Sequence, residues 1–287
     1  MSNSKKRNML IFDTAYTYEF LIERNLTEFV TSRDVGGYFD HVWTVHSVAS
    51  LFCSPSSGLR YGRPVIRKLN NRHTHIEGKI GRFDKLAWFP LLNFALAQVE
   101  LMWFLMKVIK QNRIAIIRTE DAWFNGILGV MFSAMKKLPL VTGVWGNPDA
   151  IRENTKKPNN SRLKWLFVEK LIERFVLKRA SIVLAQNPDN MDFVLRQGID
   201  KDKTAITRIG NALDSVHFVA PDKRDSGIAD LEALGVAGED VLMCIFRLEK
   251  VKLPEHLIRI VALLKGRGRN VIGLFVGDGS LREALVD

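Results

Sequence analysis

At 287 residues, 47% of them hydrophobic and 25% charged, the chain is long enough for two modest cores and has the composition of a globular protein, which excludes a disordered or fibrous reading. Its formal net charge of +11, from 42 Lys and Arg against 31 Asp and Glu, favours anionic partners such as nucleotides or lipid headgroups. The basic clusters at 5–7, 156–157 and 267–269 are short and lack the dense stripe with interleaved aromatics of a nucleic-acid reader, so no nucleic acid is expected as a partner.

The first apolar run, 9–12, reads as a strand and is cut off at Asp13, too short for an export signal. A second strand is expected at 41–48, with His41 and His46 as strand residues. His73 and His75 fall on one side of an extended segment and find no third ligand. With Cys53 and Cys244 as the two cysteines, neither a disulfide framework nor a zinc site is expected, and a reducing compartment follows.

Residues 86–106, LAWFPLLNFALAQVELMWFLM, have the length and flanking basic residues of a membrane-spanning helix. Pro90, Asn93, Gln98 and Glu100 interrupt the run. At about 100° per residue Asn93 and Glu100 fall about 20° apart, the pattern of a mostly buried helix with a polar edge. A core helix is therefore expected, with contact at a membrane surface as the alternative.

Strands at 114–118 and 140–144 flank a helix at 123–137. A helix at 162–178, a strand at 182–186 and a helix at 188–197 follow. The last helix has legible ends: Asn187 as N-cap, Pro188 in the first position and Gly198 just beyond. A strand at 205–209 runs into the Pro, Gly and Asp-rich passage 210–227, read as a linker between a domain at 1–212 and a second at 213–287.

In the second domain a strand at 241–246 precedes a helix at 254–265, which carries Leu257, Ile260, Val261 and Leu264 on one apolar face. The run 271–276 is expected to be an internal parallel strand covered on both faces. It enters Gly277-Asp278-Gly279, with a helix start at Ser280. A strand, glycine turn and helix form the place where doubly wound folds hold phosphates and nucleotides. The alternation from end to end predicts an α/β fold with doubly wound parallel sheets.

The layout of 241–287, with Arg247 directly after a strand and Lys252 five residues on, resembles the start of the C-terminal domain of glycosyltransferase family 4. These are retaining, sugar-nucleotide-dependent enzymes with the GT-B architecture of two Rossmann-type domains. The resemblance implies that Arg247 and Lys252 hold the donor diphosphate beside the nucleotide-binding turn Gly277, Asp278 and Gly279. The chemistry suits the pair. A departing nucleoside diphosphate gains negative charge, which two fixed cations stabilise without a metal, Arg by chelating two oxygens and Lys as a point charge.

Residues 209–214, then His217-Phe218, are similar to the family's interdomain passage, with Ala212 and Leu213 departing from it. Phe246 and Leu253 stand where the family has glycines, which changes local backbone freedom. On the acceptor side, 118–126, 138–141 and 145–147 are similar to the family's strand, helix, strand and loop. Where many members carry a histidine, this chain offers Glu120, Asp121 or Trp145. Glu120 and Asp121 are the candidate bases toward an acceptor hydroxyl, with hydrogen-bonded ordering of the loop as their other possible role. The family's early Gly-Gly loop is missing, and Gly36-Gly37 lies late in the chain.

The family's paired glutamates, seven residues apart, are not reached before Asp287. This implies a partial second domain, from a longer enzyme or from a shortened one that has lost donor binding. The resemblance as a whole implies a hexosyltransferase-type enzyme that moves a sugar from a nucleoside-diphosphate sugar to a hydroxyl acceptor with retention. Its place would be bacterial polysaccharide or glycolipid synthesis, in the cytoplasm or peripherally at the inner face of the membrane. Its acceptor would be a saccharide or lipid-linked, and neither a metal nor a cofactor beyond the donor is expected. The competing readings are a non-catalytic GT-B binding module and a basic nucleic-acid-binding protein.

Overall fold

A computed structural model of the protein describes residues 7–53, 59–155, 166–207, 232–236 and 240–286. The chain divides into two compact units, Met1–Asp149 with Pro158–Ala212, and Ala150–Lys157 with Leu213–Asp287.

The first unit is built on eight strands: β1 (Asn8–Phe12), β2 (His41–His46), β3 (Val65–Lys68), β4 (His73–Glu77), β5 (Ile114–Thr119), β6 (Leu140–Val144), β7 (Ile182–Ala185) and β8 (Thr204–Ile206). They lie in the order β3-β4-β2-β1-β5-β6-β7-β8. All pairs are parallel apart from the antiparallel β3 and β4. Every residue of β1 is buried, because a central strand alternates its side chains between two covered faces. Leu10 and Phe12 join a core with Val45, Ile76 and Ile117. Met9 and Ile11 point the other way and pack with Val42, Phe39 and Ile116.

The helices, in chain order, are α1 (Tyr18–Glu23), α2 (Thr27–Thr31), α3 (Pro90–Gln111), α4 (Phe124–Lys136), α5 (Pro148–Thr155), α6 (Leu166–Arg179) and α7 (Pro188–Arg196); all are in this unit apart from α5, whose residues from Ala150 on belong to the second. The glycines of α4 let it approach its neighbours closely. A Cβ on Gly126 would stand 2.7 Å from Val176 of α6, and one on Gly129 would stand 2.3 Å from Thr119 of β5. Helix α7 ends as its sequence predicts: the Asn187 side chain accepts from the Asn190 amide, and Gly198 takes φ 77°.

Two expectations are corrected here. Residues 65–68 form a strand that the sequence did not mark, because VIRK lacks a run of apolar residues, and the extended segment at His73 and His75 is the strand 73–77. Helix α3 is not mostly buried: a third of its most apolar window is covered, Leu91 and Trp103 are 86% and 69% exposed, and Trp88, just before it, is 90% exposed. Of the expected polar edge, Asn93 faces inward, while Glu100 is partly exposed and pairs with Arg82. Asn93 is buried and accepts from the amides of Arg82 and Phe83 at 2.6 and 2.9 Å.

In the second unit β9 (Asp240–Ile245) and β10 (Val271–Val276) pair in parallel, followed in space by α8 (Glu255–Gly266), whose Leu257 and Val261 pack over Gly273. A short α9 (Arg282–Val286) follows the glycine turn. The expectation that 271–276 is covered on both faces does not hold among the described residues, where β10 has β9 as its one strand neighbour and only Val271 of its residues is buried. Ile260, expected on the covered face of α8, is 48% exposed. The proposed interdomain passage 209–218 lies outside the described residues.

Candidate functional site

The strand order of the first sheet reverses at β1: chain progress runs outward through β2 and β4 on one side and through β5, β6, β7 and β8 on the other. The loops leaving the carboxyl ends of β1 and β5 therefore diverge, and a crevice opens between them, where doubly wound sheets bind ligands. A cavity of about 570 Å³ occupies this place. Asp13 to Tyr16 line it from the end of β1, Arg118, Glu120 and Asp121 from the end of β5, Trp145 from β6 and Gln186 from β7.

Two ion pairs set its electrostatics. The Arg33 guanidinium donates to Asp13 at 2.7 Å, and Arg118 Nε lies 2.9 Å from Glu120 Oε1. Burial opposes the Arg33 charge, but Asp13 and Glu120 more than offset this, and its pKa stands above the ordinary arginine value. The Asp13 carboxylate also accepts from the Ala15 amide at 2.8 Å, and Glu77 at the end of β4 accepts from the Tyr18 amide at 2.8 Å. The cavity wall 13–18 is thus held at both ends. Tyr16 stacks on Phe20 at 5.8 Å and meets Phe29 edge-on at 6.0 Å, and Arg118 sits 5.6 Å above the Trp145 ring. Aromatic walls with a few fixed charges suit a ligand that offers both ring faces and polar groups.

The two candidate bases have different surroundings. Asp121 accepts from the Trp123 amide at 2.8 Å and from the Asn125 amide group, so it orders the turn into α4. Burial pushes its pKa up, partly countered by these hydrogen bonds. Glu120 is tied to the sheet by its own amide, which donates to the Phe12 carbonyl at 3.0 Å, and its carboxylate is paired with Arg118. His46 and His75 are buried on the same side of the sheet as Asp13. Burial holds the pKa of each down to about 4, Asp13 pulling back partly, so both are neutral at physiological pH. Among the described residues no group of three or more His, Cys, Asp or Glu is placed to hold a metal ion.

Asp13 and Arg33 were not singled out by the sequence. The position of Asp13, directly after the first strand, is a signal that the doubly wound pattern already contains. Arg33 lies in a 3-10 turn, Ser32–Asp34, after two helices of six and five residues, too short to leave a periodic pattern.

In the second unit, Arg247 and Lys252 are both exposed on the loop that follows β9. That loop is fastened to the glycine turn: the Leu248 amide donates to the Asp278 carbonyl, and the Leu281 amide to the Leu248 carbonyl, both at 2.9 Å. Side chains are excluded at this junction. A Cβ on Gly277, at φ 152°, would stand 2.0 Å from the Phe246 carbonyl oxygen, and one on Gly279 would stand 2.5 Å from that of Leu248. Glu249 accepts from the Ser280 hydroxyl at 2.8 Å and amide at 3.2 Å, which lowers its pKa. Asp278 accepts from the Gly279 amide at 2.9 Å and lies 3.9 Å from Arg282. The structure thus brings Arg247, Lys252 and the turn Gly277, Asp278 and Gly279 to the carboxyl ends of two adjacent parallel strands. Glu120 and Asp121 lie together in the first unit.

No protein-family model matches the sequence, and no curated protein matches it. Solved structures do resemble it. Anabaena HepE in complex with UDP and glucose aligns with a TM-score of 0.59 at 16% identity, over 97% of this chain and 63% of that one. Sucrose-phosphate synthase from Thermosynechococcus elongatus aligns with a TM-score of 0.53 at 12% identity, over 95% and 70%. An E. coli trehalose-6-phosphate protein bound with UDP-2-fluoro glucose gives 0.54 at 11%, over 95% and 65%. At such identities the likeness is one of fold, and the fold is GT-B-like, with Rossmann-type α/β units. The chain spans 63% of the length of HepE.

Proposed function

We propose that this protein takes part in sugar transfer from a nucleoside-diphosphate sugar to a hydroxyl acceptor, with retention at the anomeric carbon, in the assembly of a polysaccharide or glycolipid. The observation that carries the reading is the junction in the second unit, where an exposed Arg247 and Lys252 share a loop hydrogen-bonded to Asp278 and Leu281, with Gly277 and Gly279 closely approached by its backbone. Two cations beside a backbone turn that excludes side chains suit a diphosphate, whose charge rises as the sugar leaves. That three structures of this fold are of HepE with UDP, with UDP-glucose, and with UDP and glucose supports the choice of ligand class.

In this reading the cavity of the first unit takes the acceptor, its aromatic walls against a sugar or lipid-linked ring and its ion pairs toward hydroxyls. Glu120 is the base in this reading: both oxygens of Asp121 accept from groups that hold the turn into α4, whereas those of Glu120 are held by Arg118, itself a cavity residue, at 2.9 and 3.4 Å. Catalysis rests on positioning and on stabilising the leaving group.

The test is thermal stabilisation by UDP, GDP and CDP, repeated with Arg247→Ala. Ligand that binds the native state raises its apparent stability. One nucleotide is expected to raise Tm, and Arg247→Ala is expected to abolish the shift. No shift with any nucleotide would overturn the donor assignment. A shift without sugar transfer to any acceptor would favour the non-catalytic binding module.

A further inference from the structure

Helix α3 turns its apolar side chains outward. Its buried face, Ala97, Leu101, Leu105 and Val108 with Asn93, is committed to the first unit, and Leu101, Leu105 and Val108 belong to the main core. At about 100° per residue, Leu92, Leu96, Val99 and Trp103 fall within about 60° of one another on the opposite side. They are 54%, 36%, 49% and 69% exposed, and Trp88, at 90%, precedes the same end of the helix. The helix has thus turned its hydrogen-bonding polar groups inward: Asn93 holds the turn at 82–83, and Gln98 donates to the Lys79 carbonyl at 3.3 Å. An outer face built for water would carry the charges there.

The charges that accompany this stripe are basic. Past Trp103 the outward face continues into Lys107 and Lys110, both exposed, at about 60° and about 0° from Leu92. Lys85 is exposed at the other end. Of the acids nearby, Glu100 is paired with Arg82 and lies 3.4 Å from Arg63, and Asp84 adjoins Lys85 in the sequence. Tryptophan before the stripe, tryptophan at its end and lysines beyond match a helix lying in the plane of a bilayer interface, where indoles sit at headgroup level and lysine stems reach toward anionic headgroups. The helix is long and apolar enough to cross a membrane by length and composition, but its inner face packs in the core, so it has one face to offer.

We propose that α3 is a monotopic membrane-contact element, docking the first unit on an anionic phospholipid bilayer with Leu92, Leu96 and Val99 inserted and Trp88 and Trp103 at headgroup level. The inserted stripe, from Leu92 to Val99, is about 10 Å long. The proposal needs this surface alone and does not rest on the sugar-transfer reading.

The experiment is flotation of the whole chain with phosphatidylcholine vesicles, with and without phosphatidylglycerol, at low and high salt. Flotation is expected with phosphatidylglycerol and is expected to weaken as salt rises. Trp88→Ser with Trp103→Ser, both at exposed positions, is expected to reduce partitioning about tenfold with an unchanged Tm. Lys107→Gln with Lys110→Gln is expected to remove most of the preference for phosphatidylglycerol. No flotation on anionic vesicles, or flotation that the tryptophan pair does not alter, would overturn the proposal. So would a dimer, seen by sedimentation, that the same tryptophan pair dissolves while vesicles bind nothing.

Discussion

Strands β1 and β10 are close to interchangeable as sequences, NMLIF against VIGLFV, yet β1 is buried along its whole length and β10 at Val271 alone. The difference lies in their neighbours. Among the described residues β1 has a strand on each side and packed side chains on each face, while β10 has one strand and one helix. An apolar run declares that a segment will be extended; how deeply it is buried is a property of what the chain places around it.

This contrast should appear first in core substitutions. Phe132 is fully buried and stacks on Phe12 at 5.6 Å, so Phe132→Ala is expected to cost about 3–5 kcal/mol, read as a shift in the urea midpoint. Val276 is 43% exposed, and Val276→Ala should cost less than about 0.5 kcal/mol. Native-state hydrogen exchange would sharpen the point: amides of β1 should be the slowest in the chain, and those of β9 and β10 faster. Equal protection in the two units would break the comparison.

A pH effect of comparable size is located in the first unit. Burial lowers the pKa of His46 and His75 to about 4 from 6.5. Below pH 6.5 the unfolded chain takes up protons on both groups while the folded chain stays neutral there. Stability present above pH 6.5 is therefore lost as pH falls toward 4, at about 1.4 kcal/mol per pH unit for each group. Urea unfolding between pH 7 and pH 4.5 should show the loss, and His75→Gln should make the slope shallower. A slope unchanged by that substitution would assign the acid sensitivity to other groups.

Asp121 offers a smaller effect and separates a structural role from a chemical one. Asp121→Ala leaves the Trp123 amide without its acceptor and the Asn125 side chain with Thr14 alone, and is expected to cost about 1–3 kcal/mol. Asp121→Asn keeps one acceptor oxygen and should cost less. If Glu120 is the base, Glu120→Gln should lower kcat with little change in KM, whereas a Tm loss in Glu120→Gln as large as in Asp121→Ala would point to a purely structural pair.

Much of the frame was legible because it is written in apolar runs: 140–144 and 271–276 were placed to the residue, and α7 was framed by Asn187, Pro188 and Gly198. The site was less so. Glu120 and Asp121 drew notice through their resemblance to a family pattern. Asp13 and Arg33 meet across 20 residues in a contact that tertiary structure creates and local pattern does not encode. Helix α3 shows the limit most clearly. Asn93 and Glu100 do fall on one face, but a periodic pattern cannot say whether the rest of the helix meets protein, water or lipid.

The least of the expected effects tests a departure that was visible in the sequence. Leu253 occupies a position where the resembled family has glycine, and it adopts φ 51°, the left-handed region, at the end of the 3-10 turn Lys250–Lys252. A side chain there costs roughly 1 kcal/mol in the folded state, while glycine adds conformational entropy to the unfolded one. Because Leu253 is 38% exposed, little packing is lost on its removal. Leu253→Gly is therefore expected to be neutral to mildly stabilising, by at most about 1 kcal/mol. The same substitution frees the backbone directly after Lys252, so nucleotide-induced stabilisation should be measured beside Tm. A gain in Tm with an unchanged nucleotide response would mean that the strain at Leu253 is incidental. A gain in Tm with a weakened response would mean that the strained leucine holds Lys252 in its place.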